Sequence, residues 1–338
     1  MAARKTAPKR AARIAMIASW LFGGLALAAL VIAILHFGDL KIFLAAMRGA
    51  SRLWLAAAIA CQVATYACGA MVWSCVVRRA KVPVSLFSLL RLSLMELFAN
   101  QVVPAGGLSG SLIVMRGLIH RGVPSPIAIT ALMIGALSYY AAYLLLGVVA
   151  FWLLWLRGDF SFTWQILFII FAVVVVVLAA AILILSWSRA DLIPKVLLRW
   201  RPFAEFAKLL DQARVDMLHD PVLVSQAAAF QAGIFLLDAT TLWCTGHAVG
   251  LNLDFAVTFT SFILASVVTT LSPIPMGLGS FEASCTGLLH LMGGGLETSL
   301  AATLILRGFT LWLPMLPGLW VIRRETILTT PAQHGLPR

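Results

Sequence analysis

Charged side chains are scarce in this sequence. They make up 11% of its 338 residues and only 13 are acidic, whereas 62% of the residues are hydrophobic. A soluble domain of this length needs a more polar surface, so the composition excludes an ordinary soluble protein and indicates a polytopic membrane protein. Despite the net charge of +12, we expect no nucleic-acid partner. We expect the basic residues to lie at the membrane edges, against anionic lipid headgroups at the cytoplasmic face.

Patterns for metal, redox or nucleotide chemistry are also missing from the sequence. Its five cysteines form no C-x-x-C pair, and Cys61, Cys68 and Cys75 recur at the seven-residue spacing of small packing residues on one helix face. The sequence has no paired histidine spacing, no phosphate-binding loop and no nucleophile next to a base. We therefore expect no metal, no cofactor and no catalytic residue, and we expect that the protein is not an enzyme.

Long apolar runs are abundant. A bilayer's hydrocarbon is spanned by roughly 20 apolar residues. Six windows reach that length: residues 14–35, 53–77, 127–156, 164–187, 223–249 and 299–322. Two further apolar stretches are interrupted by proline and glycine, and each resumes as a shorter piece: 84–103 with 111–120, and 255–271 with 281–292.

The two interruptions read V-V-P-A-G-G-L-S-G-S at 102–111 and S-P-I-P-M-G-L-G-S at 272–280. They leave backbone groups unpaired, which hydrocarbon tolerates only where protein or a water-filled cavity surrounds them. Paired breaks of this kind are typical of secondary transporters. The prediction is an all-α polytopic fold with about six full transmembrane helices and two re-entrant half-helix hairpins in an inverted repeat. Full crossing by one or both hairpins is the alternative.

Lysine and arginine predict the orientation, because they accumulate on the cytoplasmic side of membrane proteins. They cluster before residue 14, at 78–81 and within 188–222, so both termini should be cytoplasmic. The predicted organisation is a basic tail 1–13, a single membrane domain 14–324 and a disordered tail 325–338. Within the membrane domain, the halves 14–187 and 223–324 are joined by an amphipathic connector at 188–222.

Ionisable side chains inside the apolar runs mark the candidate site, because burying one costs at least about 2.5 to 3.5 kcal/mol. Glu96, Asp238 and Glu282 are candidates for proton coupling. Asp238 could equally be satisfied by Arg91 or by hydroxyls of neighbouring spans. Arg307 could neutralise Glu282 across a cavity, and we predict that pair.

Some polar and aromatic residues near these carboxylates have simpler interpretations. Ser280 could cap the short helix after the second break, with Glu282 in its first turn. Tyr139, Tyr140 and Tyr143 lie midway along a span, where they could line a path for a lipid chain or simply pack. Tryptophans such as Trp73 mark the ends of spans, and we expect no chemistry from them.

Two longer motifs contain these breaks: N-Q-V-V-P-A-G-G-L-S-G-S-L-I-V-M-R, followed by R-G-V-P, and S-P-I-P-M-G-L-G-S-F-E-A, followed by A-A-T-L-I-L-R-G-F-T-L-W-L-P. From about residue 14 to 324 the sequence resembles the lysylphosphatidylglycerol synthase transmembrane region, a flippase-like family. The resemblance implies a lipid-translocating domain in the bacterial inner membrane. Relatives are linked with hopanoid and lipid-linked glycan pathways. The synthase also has a soluble aminoacyl-transfer domain, which these 338 residues lack, so we expect no aminoacyl transfer.

Matching the motifs position by position implies a set of site residues. From the first motif they are Asn100, Pro104, Gly107, Gly110 and Arg116, and from the second Pro275, Gly277, Gly279, Glu282 and Arg307. The N–H groups near Ser111 and Ser280, at the starts of the two short helices, could hold a phosphate or another anionic headgroup. Arg116 and Arg307 would add positive charge.

The predicted function is a lipid translocase that works by alternating access on a phospholipid, a hopanoid-type lipid or an isoprenoid-linked intermediate. The main alternative is a non-catalytic scaffold or accessory subunit of a lipid-modifying pathway, with a lipid-modifying enzyme as its partner. A transporter of ions or small solutes also stays open. Nothing in the sequence predicts the oligomeric state.

Overall fold

The computed structural model describes residues 49–102, 108–158, 162–187, 213–272 and 277–314. All regular secondary structure in these ranges is helical, which confirms the all-α prediction. The α-helices are α1 (Arg52–Arg79), α2 (Leu86–Val102), α3 (Leu108–His120), α4 (Ser125–Leu156), α5 (Phe162–Trp187), α6 (Val215–Leu218), α7 (Pro221–Ala248), α8 (Phe255–Leu271), α9 (Ser280–Leu291) and α10 (Leu296–Arg307). The predicted span 14–35, both tails and most of the connector lie outside the described residues.

Three of these helices, α1, α4 and α7, are long and apolar enough to cross a membrane. Their starts follow the local sequence: α7 begins at Pro221, a residue suited to a first turn, and the Asp220 carboxylate accepts bonds from the N–H groups of Val222 and Leu223 at 3.1 and 3.3 Å. The chain is therefore a multi-pass membrane protein, as its composition predicts.

Helices α1 and α7 pack side by side and run antiparallel. At one end the Ser51 N–H donates to the Ala248 carbonyl at 2.8 Å. At the other end Arg79 Nη2 lies 2.6 Å from Asp220 Oδ2. Contacts at both ends fix the pairing of the two helices along their whole length.

Four shorter helices form two helical pairs around the proline- and glycine-rich breaks. Hairpin 1 is α2 and α3, with 17 and 13 residues, and hairpin 2 is α8 and α9, with 17 and 12 residues. The two helices of each hairpin pack on one another. In hairpin 1 a side chain at Gly117 would clash with Leu92, so glycine permits the close approach. Each helix is shorter than the roughly 20 residues of a full span.

The order of helix, hairpin and helix occurs twice along the chain. Hairpin 1 follows α1 and packs against α1 and α4, and hairpin 2 follows α7 and packs against α7 and α10. Arg79 meets Asp220 at the start of α7, and the Arg214 N–H donates to Thr130 Oγ1 near the start of α4 at 2.8 Å. Residues 78–81 and 213–220 and the start of α4 therefore lie at one end of the bundle, which we call the basic end.

Candidate functional site

A cavity of about 570 Å³ lies between the helices, within the size range of ligand sites. Both hairpins reach it: hairpin 1 contributes Asn100 and Ser111, and hairpin 2 contributes Thr270. We call it the central cavity. Its polar and aromatic lining comprises Thr65, Trp73, Ser93, Glu96, Asn100, Ser111, Tyr139, Tyr140, Tyr143, Gln231 and Thr270.

Glu96 is the one carboxylate among the described residues that line the central cavity, and none of them is lysine or arginine. Trp73 Nε1 donates to Glu96 Oε2 at 3.2 Å. The Trp73 ring packs on Gly135, where a Cβ would come within 2.9 Å of the ring. Trp73 is buried and bonded to Glu96, so its interpretation as a span-end marker is wrong. It lies six residues before the end of α1 and orients the carboxylate of the cavity.

Asn100, near the end of α2, is hydrogen-bonded to the start of α3 on the other side of the break in hairpin 1. Its Oδ1 accepts a hydrogen bond from the Gly110 N–H at 2.9 Å. A Cβ at Gly110 would come within 2.6 Å of the Asn100 amide, so the position has no room for a side chain. Asn100 and Ser111, both predicted site residues, therefore reach the cavity together. Pro104 and Gly107 lie outside the described residues.

The three tyrosines of α4 form an aromatic cluster on the cavity wall. Tyr139 and Tyr140 meet edge to face at 5.5 Å between centroids, and Tyr143 stacks on Phe235 of α7 at 5.1 Å. The Tyr143 hydroxyl lies 3.0 Å from Thr270 Oγ1 of hairpin 2. The sequence left a lipid path and plain packing open. The structure shows that the rings pack on one another and also line the cavity, and a lipid path along them stays a prediction.

Hairpin 2 resumes after its break through two glycines in the left-handed region. Gly277 has φ +63° and Gly279 has φ +81°, and a Cβ at Gly277 would clash with Thr269. Ser280 is the first residue of α9, and its Oγ donates to the Gly277 carbonyl at 3.1 Å. The predicted cap at Ser280 is therefore wrong, because the left-handed Gly279 occupies the cap position.

Glu282 lies in the first turn of α9, as predicted, and its carboxylate has two partners. Its Oε2 accepts from the Gly279 N–H at 2.7 Å and its Oε1 from Arg307 Nε at 2.6 Å. The two side chains of the pair are only 14% and 15% exposed, and the guanidinium also lies over the Phe281 ring. The predicted Glu282–Arg307 pair is confirmed, and it joins the start of α9 to the end of α10.

Arg307 is followed by a π-helical turn, Gly308–Trp312. Such turns shift backbone carbonyls out of the α-helical register and recur at functional sites. Gln101, at the end of α2, donates from Nε2 to the Thr310 carbonyl at 3.2 Å. Residues 307–310 therefore contact the sequence just before the first break and just after the second, which brings both breaks to one stretch of helix.

Asp238 lies at the interface between α1 and α7, where Gln62 binds it. Gln62 Nε2 donates to Asp238 Oδ1 at 2.7 Å and to Thr241 Oγ1 at 3.0 Å. A neighbouring span thus satisfies the carboxylate, but through an amide rather than through Arg91. Sequence reasoning missed Gln62, although a glutamine this deep in an apolar run was a usable signal.

The predicted cationic residues lie elsewhere. Arg116 is exposed on α3 and is not among the described residues lining the central cavity, and Arg307 is held by Glu282. The Arg91 guanidinium lies 4.6 Å from the Phe87 ring centroid, one turn away on the same helix. A headgroup role for Arg116 stays a prediction.

Comparison with known proteins gives one family. A search of curated proteins finds no match, whereas the lysylphosphatidylglycerol synthase TM region matches residues 20–318. That match covers most of the 338 residues and contains both hairpins and the 307–310 stretch. The chain belongs to the family of the lysylphosphatidylglycerol synthase transmembrane region.

Proposed function

We propose that this protein moves a lipid between membrane leaflets, with the headgroup in the central cavity and the acyl chains in hydrocarbon. The observation that carries the proposal is a cavity of about 570 Å³ inside the helical bundle, reached by both hairpins and lined by Glu96, Asn100 and Ser111 among other polar side chains. Membrane proteins rarely keep polar groups at depth without a functional reason. The membership of the chain in a lipid-related membrane family supports the same substrate class.

The architecture we propose is an inverted repeat in which each hairpin re-enters from one side. It is supported by the antiparallel packing of α1 and α7, which begin the two units of helix, hairpin and helix. With the basic end in the cytoplasm, hairpin 1 would enter from the cytoplasm and hairpin 2 from the opposite face. Two units of opposite direction around one cavity are suited to alternating access.

The substrate we propose has a phosphate-containing headgroup, as in an anionic phospholipid or an isoprenoid-linked intermediate. Ser111, the fourth residue of α3, lies on the cavity wall, and the N-terminal end of a helix favours an anion. Tyr139 and Tyr140 line the same cavity, and tyrosine hydroxyls can donate to phosphate oxygens.

Glu96 is our proposed proton-coupling residue. Like charges disfavour one another at short distance, so a phosphate would bind more readily when the Glu96 carboxyl carries a proton. The two other candidate carboxylates, Asp238 and Glu282, are not among the described residues that line the central cavity. Headgroup entry and proton uptake would then occur together in the central cavity, with no cofactor and no covalent chemistry.

The test is leaflet exchange in proteoliposomes that contain headgroup-tagged phosphatidylglycerol or an isoprenoid phosphate. We expect Glu96→Gln to slow exchange at least tenfold and to weaken its dependence on pH. Glu297→Gln is the matched control, because Glu297 is an exposed acid in the first turn of α10 and does not line the cavity. Wild-type rates in Glu96→Gln would remove Glu96 from the mechanism.

Arg116→Ala in the same assay tests the predicted headgroup contact on α3. If the wild-type protein exchanges no anionic phospholipid and no isoprenoid phosphate, the translocase proposal fails. A scaffold for a lipid-modifying enzyme would then be the better function.

A further inference from the structure

A second cavity, of about 530 Å³, opens at the basic end between α1 and α7. We call it the basic-end groove. It shares no lining residue with the central cavity, and the translocase proposal does not use it. Its lining consists of Met71, Ser74, Cys75, Arg78 and Arg79 with Asp220, Val222, Leu223, Gln226 and Phe230.

The charge of the groove comes from Arg78. The second arginine, Arg79, is paired with Asp220 at 2.6 Å, so those two charges offset each other. Arg78 is exposed in the last turn of α1, and within the described ranges it forms no ion pair. Among the described residues, the lining therefore keeps one positive charge that no ion pair neutralises.

Neutral donors stand near that charge. Ser74 precedes Arg78 by four residues, a spacing that places both on one helix face. Gln226 faces them from α7 across the groove. A guanidinium with hydroxyl and amide donors around it is the type of site that binds phosphate oxygens.

The remaining wall is apolar and lies next to the polar groups. Met71 and Phe230 come from α1 and α7, and Val222 is 61% exposed at the rim. A free phosphate ion would leave this wall in water, whereas an acyl chain would cover it. Basic pockets between helices at the cytoplasmic edge of a membrane commonly hold anionic lipid headgroups.

We propose that the basic-end groove binds one anionic phospholipid. The phosphate contacts Arg78, with Ser74 and Gln226 as further donors, and the acyl chain lies on the apolar wall between α1 and α7. This differs from the diffuse attraction of basic residues to a charged surface, because it assigns the lipid to one guanidinium. The bound lipid bridges the two helices at the end where Arg79 and Asp220 meet.

The test measures how lipids raise the thermal stability of the purified full chain in a neutral detergent. Phosphatidylglycerol and phosphatidylcholine are compared in wild type, Arg78→Gln and Lys81→Gln. Lys81 is the matched control, since it carries the same charge three residues further on and does not line the groove. Glycerol phosphate at equal concentration separates the lipid from its soluble headgroup.

We expect phosphatidylglycerol to stabilise the wild type more than phosphatidylcholine does. Arg78→Gln should weaken the apparent affinity for phosphatidylglycerol roughly tenfold or more, as loss of a charged hydrogen-bond donor implies. Lys81→Gln should stay close to wild type. If Arg78→Gln and Lys81→Gln weaken phosphatidylglycerol binding equally, the lipid is attracted only to the charged surface. If glycerol phosphate stabilises the wild type as much as phosphatidylglycerol does, the groove is a site for a free anion. Either result, or no preference for phosphatidylglycerol in the wild type, overturns the proposal.

Discussion

The Glu282–Arg307 pair should be strongly coupled in stability, because removal of either side chain leaves the charge of the other buried without a counter-charge. Removing one partner of a fully buried pair costs about 3 to 5 kcal/mol. This pair is 14% and 15% exposed, so some solvent screening remains. We therefore expect Arg307→Met to lower the free energy of unfolding by about 2 to 4 kcal/mol.

Glu282→Gln isolates one of the two contacts of the carboxylate. The amide keeps one oxygen for either the Gly279 N–H or Arg307 Nε, whereas the carboxylate serves both. The change therefore removes one charge-assisted hydrogen bond, worth about 1.5 to 3 kcal/mol. The double variant combines Arg307→Met with Glu282→Gln. It has no unpaired charge at this site, and the amide oxygen can accept the hydrogen bond from the Gly279 N–H. The double variant should therefore lose less free energy of unfolding than the two single variants lose together, by about 1.5 to 3 kcal/mol.

The assay is equilibrium unfolding of the four proteins in mixed micelles with increasing SDS, followed by tryptophan fluorescence. Exchange activity should be measured on the same samples, because unfolding alone does not distinguish a structural pair from a headgroup contact. Losses that add within about 0.5 kcal/mol would show that the side chains act independently. The assignment of this pair as the link between α9 and α10 would then be refuted.

Two further predictions concern hairpin 2 and the basic end. Gly277→Ala should lower the free energy of unfolding by about 2 to 4 kcal/mol in the same SDS titration, because it combines strain at a positive φ with a clash against Thr269. The control Gly122→Ala, at φ +83° in open space, should lower it by only about 1 to 2 kcal/mol. Equal losses in the two variants would show that the clash relaxes. The Arg79 guanidinium and the N–H groups at the start of α7 hold the pKa of the Asp220 carboxyl below its usual value. The stabilisation by Asp220 is thus present above its unfolded pKa of about 3.9 and is lost as the pH falls through the lower folded value. Asp220→Ala should lower the melting temperature at pH 7, and its difference from wild type should narrow only below about pH 4; a difference that stays constant down to pH 2 would contradict this.

Helix positions in this fold were predictable from the sequence because they depend on local runs of apolar residues. Residues 255–271 were predicted as one apolar stretch and form α8 within the same bounds. The Glu282–Arg307 pair was also predictable, since a carboxylate and a guanidinium at depth within neighbouring segments need each other. Charge complementarity at low dielectric limits the choice of partner more strongly than packing does.

Contacts between helices distant in the chain were not predictable in the same way. The roles of Trp73 and Gln62 depend on which faces of α1 meet α2 and α7, and the local pattern does not specify the rotation of a helix that is apolar all round. Arg116 illustrates the same limit. Gly117 packs on α2, and the adjacent residue points about 100° away around the helix, so it faces the exterior.

The contacts also constrain which part of the molecule could move during the proposed lipid exchange. Helices α1 and α7 are joined at both ends and, through Gln62 and Asp238, in the middle. A change of access to the central cavity would therefore occur between this pair and the hairpins rather than within the pair. Both hairpins contact residues 307–310: Glu282 binds Arg307, directly before the π-helical turn Gly308–Trp312, and Gln101 binds the Thr310 carbonyl within that turn. π turns are among the places where helices bend sharply. If the proposed exchange shifts one hairpin, residues 307–310 are the described stretch that connects it to the other.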